Sequence, residues 1–341
     1  MQQNKIFART NEIHHPSNIT INTPLLVPSF SSKGFGFTSN KRSKRSEIYN
    51  FFEISKEFLT ESMLVSAYDI SHKYLPKLDQ PITDITFVDS GGYETSDMHD
   101  LSSVFRNPVP KKTWKQENLK KVYDNWSPLI PAIFVNYDDS NLRRSIEQQI
   151  EDAEDFLAPY SKQMRAILLK PETENQRFIK VENVITNVKR LNNFHIIGFT
   201  EKELGNSILD RMRNIARIRL ELDEKSIKVP IHVFGSLDPV SSPLYFLSGA
   251  EIFDGLTWLR YGYSNGVASY THNTVALEIG IDNNPIKIQA ASLTNNYNYL
   301  IRLQNEMKMF LNDGDFEVFK YNSDFLKKSY NLLRTRIRRL V

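Results

Sequence analysis

Eight short apolar runs alternate with segments of helical spacing, and this rhythm limits the fold of the chain more than any other feature. Each run has four to eight residues, is nearly continuous and is rich in Ile, Val, Leu and Phe, as strands buried on both faces are. The runs occupy residues 23–29, 63–68, 85–90, 131–136, 165–170, 194–199, 231–235 and 251–256. Apolar residues three and four positions apart predict helices between them, at about 141–164, 181–191, 203–222 and 243–249.

Eight buried strands alternating with helices predict an α/β fold, the (β/α)8 TIM barrel. A doubly wound open sheet is the alternative, but that fold usually has a Gly-rich turn after its first strand, and Gly34 and Gly36 do not make one. We expect residues 1–265 to form the barrel, with a flexible basic loop near 33–47. Residues 266–341 are expected to form a C-terminal helical extension packed on it, with helices near 295–311 and 323–340.

The chain of 341 residues contains no cysteine. This excludes disulfide scaffolds, thiolate zinc sites, iron–sulfur clusters and cysteine nucleophiles. It is also compatible with a reducing compartment, and we expect a cytoplasmic protein. No apolar stretch of about 18 residues is present, so no membrane span is expected, and the first residues do not resemble a signal peptide.

Three of the apolar runs end in aspartate, at Asp89, Asp138 and Asp254. In a TIM barrel the carboxyl ends of the strands surround one mouth, where catalytic residues lie. A single aspartate at a strand end is usually a cap or turn residue, and the group Asp138-Asp-Ser140 is expected to cap the helix that follows it. Three aspartates on separate strands indicate a site.

A Gly91–Gly92 pair follows the first of these aspartates. Two glycines let the backbone turn sharply and approach a ligand closely, and Tyr93 after them offers a face for a planar ligand. A tight turn without a ligand is the alternative, and Gly198 has the same two interpretations. The buried runs also contain two histidines, His195 and His232, which we interpret as core residues or as residues that support a site from behind.

Basic residues are grouped although the net charge is only +3. The first group is 41–46, the second contains Lys111, Lys112, Lys115, Lys120 and Lys121, and the third lies between Lys327 and Val341 on an amphipathic helical pattern. Each group alone is typical of a solvated face. Together they favour a polyanionic partner.

Several separated segments resemble the tRNA-guanine transglycosylase family. Asp89-Ser-Gly-Gly-Tyr-Glu94 resembles that family's Asp-Ser-Gly-Gly-(Phe/Tyr)-Gln motif, and Gly249-Ala-Glu-Ile-Phe-Asp254 resembles its nucleophile segment. Weaker matches are Thr23-Pro-Leu-Leu-Val-Pro28, Ile197-Gly-Phe-Thr-Glu-Lys-Glu203 and the segment 256–260. Their order and spacing agree with the family from about residue 20 to 265.

The resemblance implies exchange of guanine in a polynucleotide for a 7-deazaguanine-type base, the chemistry of a glycosyltransferase in queuosine-related modification. Asp254 would be the nucleophile at C1′, Asp89 would handle the proton of the departing and arriving base, and Asp138 would accept hydrogen bonds from the base. The remaining base-binding residues would be Ser90, Gly91, Gly92, Tyr93, Gly198 and Phe199. The target nucleotide would have to leave its stack.

Nucleic acid is thus an expected partner. We expect it to contact the basic loop and the segment after the nucleophile. The residues predicted for this contact are Lys41, Arg42, Lys44, Arg45 and Arg260.

The departures from the family point to a divergent branch. The family's structural zinc site needs three cysteines and a histidine, but this chain has no cysteine, and Asn295 or Asn296 stands near the histidine position. We therefore expect no metal and no cofactor, with the zinc subdomain lost and apolar packing in its place. Glu94 replaces the family's Gln, and Lys170 stands near another base-binding Gln. These differences favour the DNA-guanine transglycosylase branch, which modifies DNA, over the tRNA enzymes.

Three alternatives remain open. The chain could act on tRNA, as most of the family does, or it could be a non-catalytic accessory subunit that binds nucleic acid. Retention of Asp89 and Asp254 favours an enzyme, and because some relatives need a partner protein, such a partner is among the expectations. A glycosidase-like barrel acting on nucleosides or sugars would use the same carboxylates but would not need three basic groups.

Overall fold

A computed structural model of the protein describes residues 7–40, 43–96, 109–138 and 142–338. Its centre is a closed barrel of eight parallel strands that follow one another around the barrel in chain order. We number them β1 (Leu25–Phe30), β2 (Ser62–Ser66), β3 (Ile85–Asp89), β4 (Ala132–Val135), β5 (Met164–Leu169), β6 (Ile196–Thr200), β7 (Ile231–Phe234) and β8 (Ile252–Gly255). All eight overlap the predicted runs, so the prediction of a (β/α)8 barrel is confirmed.

Alternate residues of each strand face the barrel interior, because side chains in a strand point to opposite faces in turn. The interior cluster takes Leu25 and Val27 from β1, Ile85 and Phe87 from β3, and Ile252 from β8. The intervening residues belong to a second cluster, between the barrel and the helices around it. Both faces of the sheet are therefore buried, which explains why the strands are continuous apolar runs.

Helices surround the barrel and continue beyond it. The first ten are α1 (Glu47–Ser55), α2 (Ala67–Ser71), α3 (Gly92–Thr95), α4 (Gln116–Asp124), α5 (Ile146–Leu157), α6 (Val181–Thr186), α7 (Val188–Leu191), α8 (Ile208–Glu224), α9 (Ser241–Leu247) and α10 (Thr257–Arg260). Those that follow are α11 (Thr271–Ile279), α12 (Pro285–Asp313) and α13 (Ser323–Arg338). Short 3-10 turns lie at Ala158–Tyr160, Glu201–Glu203 and Phe316–Val318. No helix of the described residues has the length and apolarity to cross a membrane.

The start of α5 differs from the prediction. Its cap is Ser145, whose hydroxyl accepts a hydrogen bond from the amide of Gln148 at 3.3 Å; of the predicted capping group, Asp139 and Ser140 lie outside the described residues. A serine hydroxyl satisfies one of the free amides in the first turn. Asp138 is therefore left for another role.

The basic segment is a β-hairpin and not the flexible loop that we predicted. Strand Phe37–Asn40 pairs with strand Ser43–Ser46 in antiparallel register. The open end of the hairpin is anchored, because the Phe37 ring packs edge-on against Tyr74 and the Ser46 hydroxyl donates to the Tyr74 carbonyl at 2.6 Å. The polar composition of the segment gave no indication of these contacts with Tyr74.

A second hairpin closes the amino-terminal end of the barrel. Its strands, Glu12–His14 and Thr20–Asn22, place Ile13 and Ile21 in the interior cluster. Beyond it, His15 Nε2 lies 2.9 Å from the Gln163 side-chain oxygen, next to the start of β4 and β5. The hairpin thus extends across the barrel floor.

The long helix α12 packs against β1 and against a third hairpin, Gly262–Ser264 with Val267–Ser269. Asn296 of α12 is buried and makes three hydrogen bonds to backbone groups. Its amide nitrogen donates to the Trp258 and Tyr261 carbonyls, both at 2.6 Å, and its oxygen accepts from the Tyr263 amide at 2.7 Å. A polar anchor therefore accompanies the apolar packing that was expected in this region.

Candidate active site

The carboxyl-terminal end of the barrel carries the predicted catalytic pair. Asp89 ends β3 and Asp254 lies within β8, each two residues after an interior apolar residue, Phe87 and Ile252. Since strand side chains alternate, both carboxylates face the barrel interior. Each is almost completely buried.

Three hydrogen-bond donors surround the carboxylate of Asp254. Its Oδ1 is 2.9 Å from His232 Nε2 and 3.3 Å from the Gly235 amide. Its Oδ2 accepts from the Ser29 hydroxyl at 2.8 Å. Asp254 is therefore held in place through both of its oxygens.

The surroundings of Asp89 affect its protonation. Burial, and then the negative charges of Glu94 and Asp254, raise the pKa of Asp89 to about 8. The amide of Ser90 lowers the pKa in part, and the charge of Asp138 raises it further. Asp89 therefore carries a proton at neutral pH, and the three predicted aspartates act on one another across the same mouth.

Two further buried acids, Asp69 and Glu94, adjoin the pair. Asp69 of α2 accepts from the amide and the hydroxyl of Ser32, and Glu94 of α3 accepts from the Ser31 hydroxyl. Burial raises the pKa of both, and the charge of Glu94 adds to the effect on Asp69. The segment after β1 thus supplies hydroxyl groups to acids on α2 and α3, and sequence reasoning did not identify these contacts.

Asp138 lies in an ion-pair network with Lys170 and Glu203. The Lys170 ammonium is 3.3 Å from Asp138 Oδ2 and 3.1 Å from Glu203 Oε2, and it also donates to Thr200 Oγ1 at 2.9 Å. Burial lowers the pKa of Lys170, but the two carboxylates outweigh burial and leave its pKa above the ordinary value. Arg143 lies 3.7 Å from Glu203. This side of the mouth is therefore balanced in charge, whereas the Asp89 side is acidic.

The two glycines after Asp89 allow other side chains to approach closely. Gly91 has φ of 87°, and a β-carbon there would lie 2.7 Å from Tyr68 and 2.9 Å from Trp114. A β-carbon on Gly92 would lie 3.0 Å from Asp138 Oδ2. The pair therefore has a packing role, and it lets Asp138 sit against the Asp89 loop. Ser90 is buried there, with its carbonyl accepting from the Trp114 indole at 2.8 Å.

The remaining predicted base-binding residues are divided between the two faces of the sheet. Tyr93 is partly exposed, and the Lys33 ammonium lies 4.4 Å from its ring centroid. Gly198 has the interior orientation, and a β-carbon there would collide with the Phe234 ring at 2.4 Å. Phe199 instead points into the cluster between barrel and helices, so only its backbone is available to a pocket. Phe234, at the end of β7 and facing inward, stacks on His232 beside Gly198, and sequence reasoning missed it.

The predicted nucleic-acid contacts have different surroundings. Arg260 donates to the Lys33 carbonyl at 2.9 Å and lies over the Phe35 ring, so it supports the segment after β1. Arg45 is exposed on the hairpin, with its guanidinium 4.8 Å from the Tyr49 ring centroid, and the backbone of Lys44 pairs with Ser39. Lys41 and Arg42 lie outside the described residues.

A cavity of about 400 Å³ opens beside Asp138 and Lys170. It extends away from Asp89 and Asp254, towards Arg143, Gln149 and Phe156. In the described part of the chain, no group of three or more His, Asp or Glu side chains has the arrangement of a metal site.

The mouth thus brings together a hydrogen-bonded carboxylate, a protonated carboxyl group and an ion-paired carboxylate on separate strands. Such a set can attack an electrophilic carbon, transfer a proton and accept hydrogen bonds from a ligand. Comparison of the sequence with protein-family models and with characterised proteins gives no significant match.

Proposed function

We propose that the protein is a guanine transglycosylase, a pentosyltransferase that exchanges guanine in a polynucleotide for a 7-deazaguanine derivative. DNA is the favoured polynucleotide. The observation that carries the proposal is the pairing of Asp254, whose two oxygens are held by three donors, with Asp89, whose pKa is raised to about 8. Pairs of carboxyl groups whose surroundings separate their pKa values are typical of nucleophile and acid in glycosyl chemistry.

In the first half of the proposed reaction guanine leaves. A carboxylate oxygen of Asp254 forms a bond to C1′ as the bond from C1′ to the base nitrogen breaks. The electron pair of that bond goes to the base, which receives the proton of Asp89. The sugar is left as a covalent ester of Asp254, and Asp89 is left as a carboxylate.

In the second half the incoming base takes the place of the enzyme. Its ring nitrogen attacks C1′, the bond from C1′ to Asp254 breaks, and the electron pair returns to the Asp254 carboxylate. The proton displaced from the incoming base goes to Asp89, which restores the starting state. A carboxylate serves both halves because it is a good nucleophile and a good leaving group at an oxocarbenium-like carbon.

The base itself would bind between the two sides of the mouth. Asp138 offers carboxylate acceptors to ring N–H and amino donors, while Phe234 and Tyr93 offer faces for stacking. A base reaches this buried set only after it is flipped out of its stack. Single-stranded or locally opened nucleic acid is therefore the expected form of the substrate.

The test is incubation of the protein with labelled guanine and, in parallel, with duplex DNA, single-stranded DNA and tRNA. We expect label to enter DNA and a denaturant-resistant adduct to form between DNA and Asp254. Label in tRNA alone would overturn the choice of DNA. Neither label nor adduct with any of the three, with 7-deazaguanine bases also supplied, would overturn the transglycosylase proposal.

A hydrolase acting at a sugar carbon is the second candidate, because the same carboxyl pair suits a retaining glycosidase. The two functions differ in the acceptor of the covalent sugar. A hydrolase would release free base and leave sugars without a base in the polynucleotide, with no label incorporated. The exchange reaction would instead attach the labelled base at the same sugar.

A further inference from the structure

His232 is a buried polar residue whose hydrogen bond is made only to the proposed nucleophile. It lies on β7, one layer below Asp254, and its side chain is fully buried. Phe234 stacks on the imidazole at 3.7 Å between ring centroids, and Phe87 packs edge-on at 5.4 Å. Nε2 is 2.9 Å from Asp254 Oδ1, whereas Nδ1 makes no hydrogen bond within the described residues.

These surroundings determine which nitrogen of the His232 imidazole carries the proton. A carboxylate can only accept a hydrogen bond, so Nε2 carries the proton and donates. A proton on Nδ1 as well would place an N–H donor without a partner among phenylalanine rings, which is unfavourable. Nδ1 is therefore a buried nitrogen without a hydrogen-bond partner, in a cage of aromatic rings.

The bare nitrogen makes histidine a poor choice for packing alone. A phenylalanine would fill a cage of aromatic rings without leaving a polar atom unsatisfied. A buried polar atom without a partner is expected where a residue serves function at the expense of stability. Here the other ring nitrogen holds a carboxylate oxygen of Asp254.

We propose, on the basis of the function proposed above, that His232 is a positioning residue that fixes which oxygen of Asp254 attacks the sugar. His232 Nε2 and the Gly235 amide both hold Oδ1, whereas Oδ2 has only the rotatable hydroxyl of Ser29. Oδ2 is therefore the oxygen that forms the bond to C1′, and Oδ1 becomes the carbonyl oxygen of the ester.

The same contacts serve the second half of the reaction. When the incoming base breaks the bond between C1′ and Oδ2, the returning electron pair is shared between both oxygens of Asp254. The fixed donors on Oδ1 stabilise that charge as it develops. His232 thus keeps its proton throughout and acts only through Asp254.

The test compares His232→Phe with His232→Gln, measuring thermal unfolding, guanine exchange and the rate of adduct formation on DNA. We expect His232→Phe to fold with an unchanged or higher Tm but to lose roughly 10- to 100-fold in both rates, the cost of one hydrogen bond to a charged group. His232→Gln can still donate to Oδ1, and we expect it to recover most of the lost rate. His195→Phe is the matched control, because His195 also lies in a buried run but bonds to the Arg165 amide away from the site.

A structural role for His232 would give the opposite pattern. His232→Phe would then unfold at a lower temperature, or would exchange guanine as fast as the wild-type chain, and either result overturns the proposal. If wild type and both variants all fail to form an adduct, the transglycosylase function fails instead. In that case ¹⁵N NMR of labelled histidine still tests the assignment, because a proton on Nδ1 of His232 would overturn it.

Discussion

Individual residues in the mouth meet opposite requirements in a small space. In the proposed reaction the nucleophile must be ionised and the acid must be protonated, yet both proposed residues are aspartates with similar intrinsic pKa values. Asp254 receives hydrogen bonds from Ser29, His232 and Gly235, whereas Asp89 faces the negative charge of Glu94. The difference in role therefore comes from the neighbours and not from the residue type.

Asp254→Asn is expected to abolish both guanine exchange and the covalent adduct, because an amide is a far weaker nucleophile than a carboxylate. Asp254→Ala should behave in the same way. Both are measured by incorporation of labelled guanine into DNA, with circular dichroism as the check of folding. Adduct formation by either variant would assign the nucleophile to another residue.

Asp89→Asn is expected to lose activity while the protein becomes more stable at neutral pH. The pKa of Asp89 is about 8 in the folded chain, against an ordinary value of 3.8. The folded chain thus keeps a proton that the unfolded chain releases, so stability falls as pH rises from about 4 to about 8. The asparagine removes this loss, and we expect the difference in Tm between variant and wild type to grow across that interval. A lower Tm for the variant at pH 8 would contradict the assignment.

The rate of exchange should fall as pH rises through about 8, because Asp89 must enter the reaction with its proton. Glu94→Gln removes a negative charge that raises the pKa of Asp89. The alkaline limb of the pH profile of kcat/KM should therefore move to lower pH in this variant. An alkaline limb at the same pH as in the wild-type chain would show that Glu94 does not raise the pKa of Asp89.

Among the elements, α12 shows how the C-terminal part is joined to the barrel. Asn296 on this helix bonds to three backbone groups of the segment after β8. Other residues of the same helix face are apolar and buried, as Leu293 and Leu300 are. One amide thus fixes the position of a helix that apolar contacts alone would allow to slide.

Asn296→Ala is expected to lower the free energy of unfolding by at least about 2 kcal/mol, because it leaves buried backbone groups without partners. Asn298→Ala, on the exposed side of the same helix, is the matched control and should change little. Chemical denaturation of both variants measures the difference. Equal stability of the two would mean that water replaces the lost hydrogen bonds.

The strands, and the aspartates that end them, could be predicted because a strand buried on both faces leaves a continuous apolar run. The partners of those aspartates could not be predicted with the same ease. Ser29, His232 and Phe234 lie on the interior parity of β1 and β7, and counting in twos from Val27 would have indicated Ser29. Their contacts join positions far apart in the sequence, which no local pattern contains. The hairpin at 37–46 was missed because its anchor, Tyr74, is equally distant.

At the scale of the whole molecule, the basic groups lie in different places. The hairpin with Arg45 follows β1 at the carboxyl-terminal end of the barrel. On α13, Tyr330 contacts Phe7, and Phe7 lies beside Gly249 just before β8, so the middle of α13 lies at the amino-terminal end. A polynucleotide that reaches the mouth would meet the first group and not the last.

Charge reversal at Lys44 and Arg45 is expected to weaken DNA binding and to reduce its dependence on salt, because each lost phosphate contact lowers the slope by about one. Reversal of Lys41 and Arg42 should act in the same direction. The control is the same change at Lys328 and Arg336, which are exposed on α13. Titration at several salt concentrations measures both effects. An equal loss in the control would mean that DNA is bound by general positive charge and not by the hairpin.

The hairpin across the barrel floor has a consequence for the order of events. Ile13 and Ile21 fill the end opposite the mouth, so in the proposed reaction the departing guanine and the incoming base would use one opening while the sugar stays attached to Asp254. The first base must therefore diffuse out before the second can bind. Initial rates measured against both substrates should give parallel double-reciprocal lines, and guanine should compete with the incoming base and not with the polynucleotide.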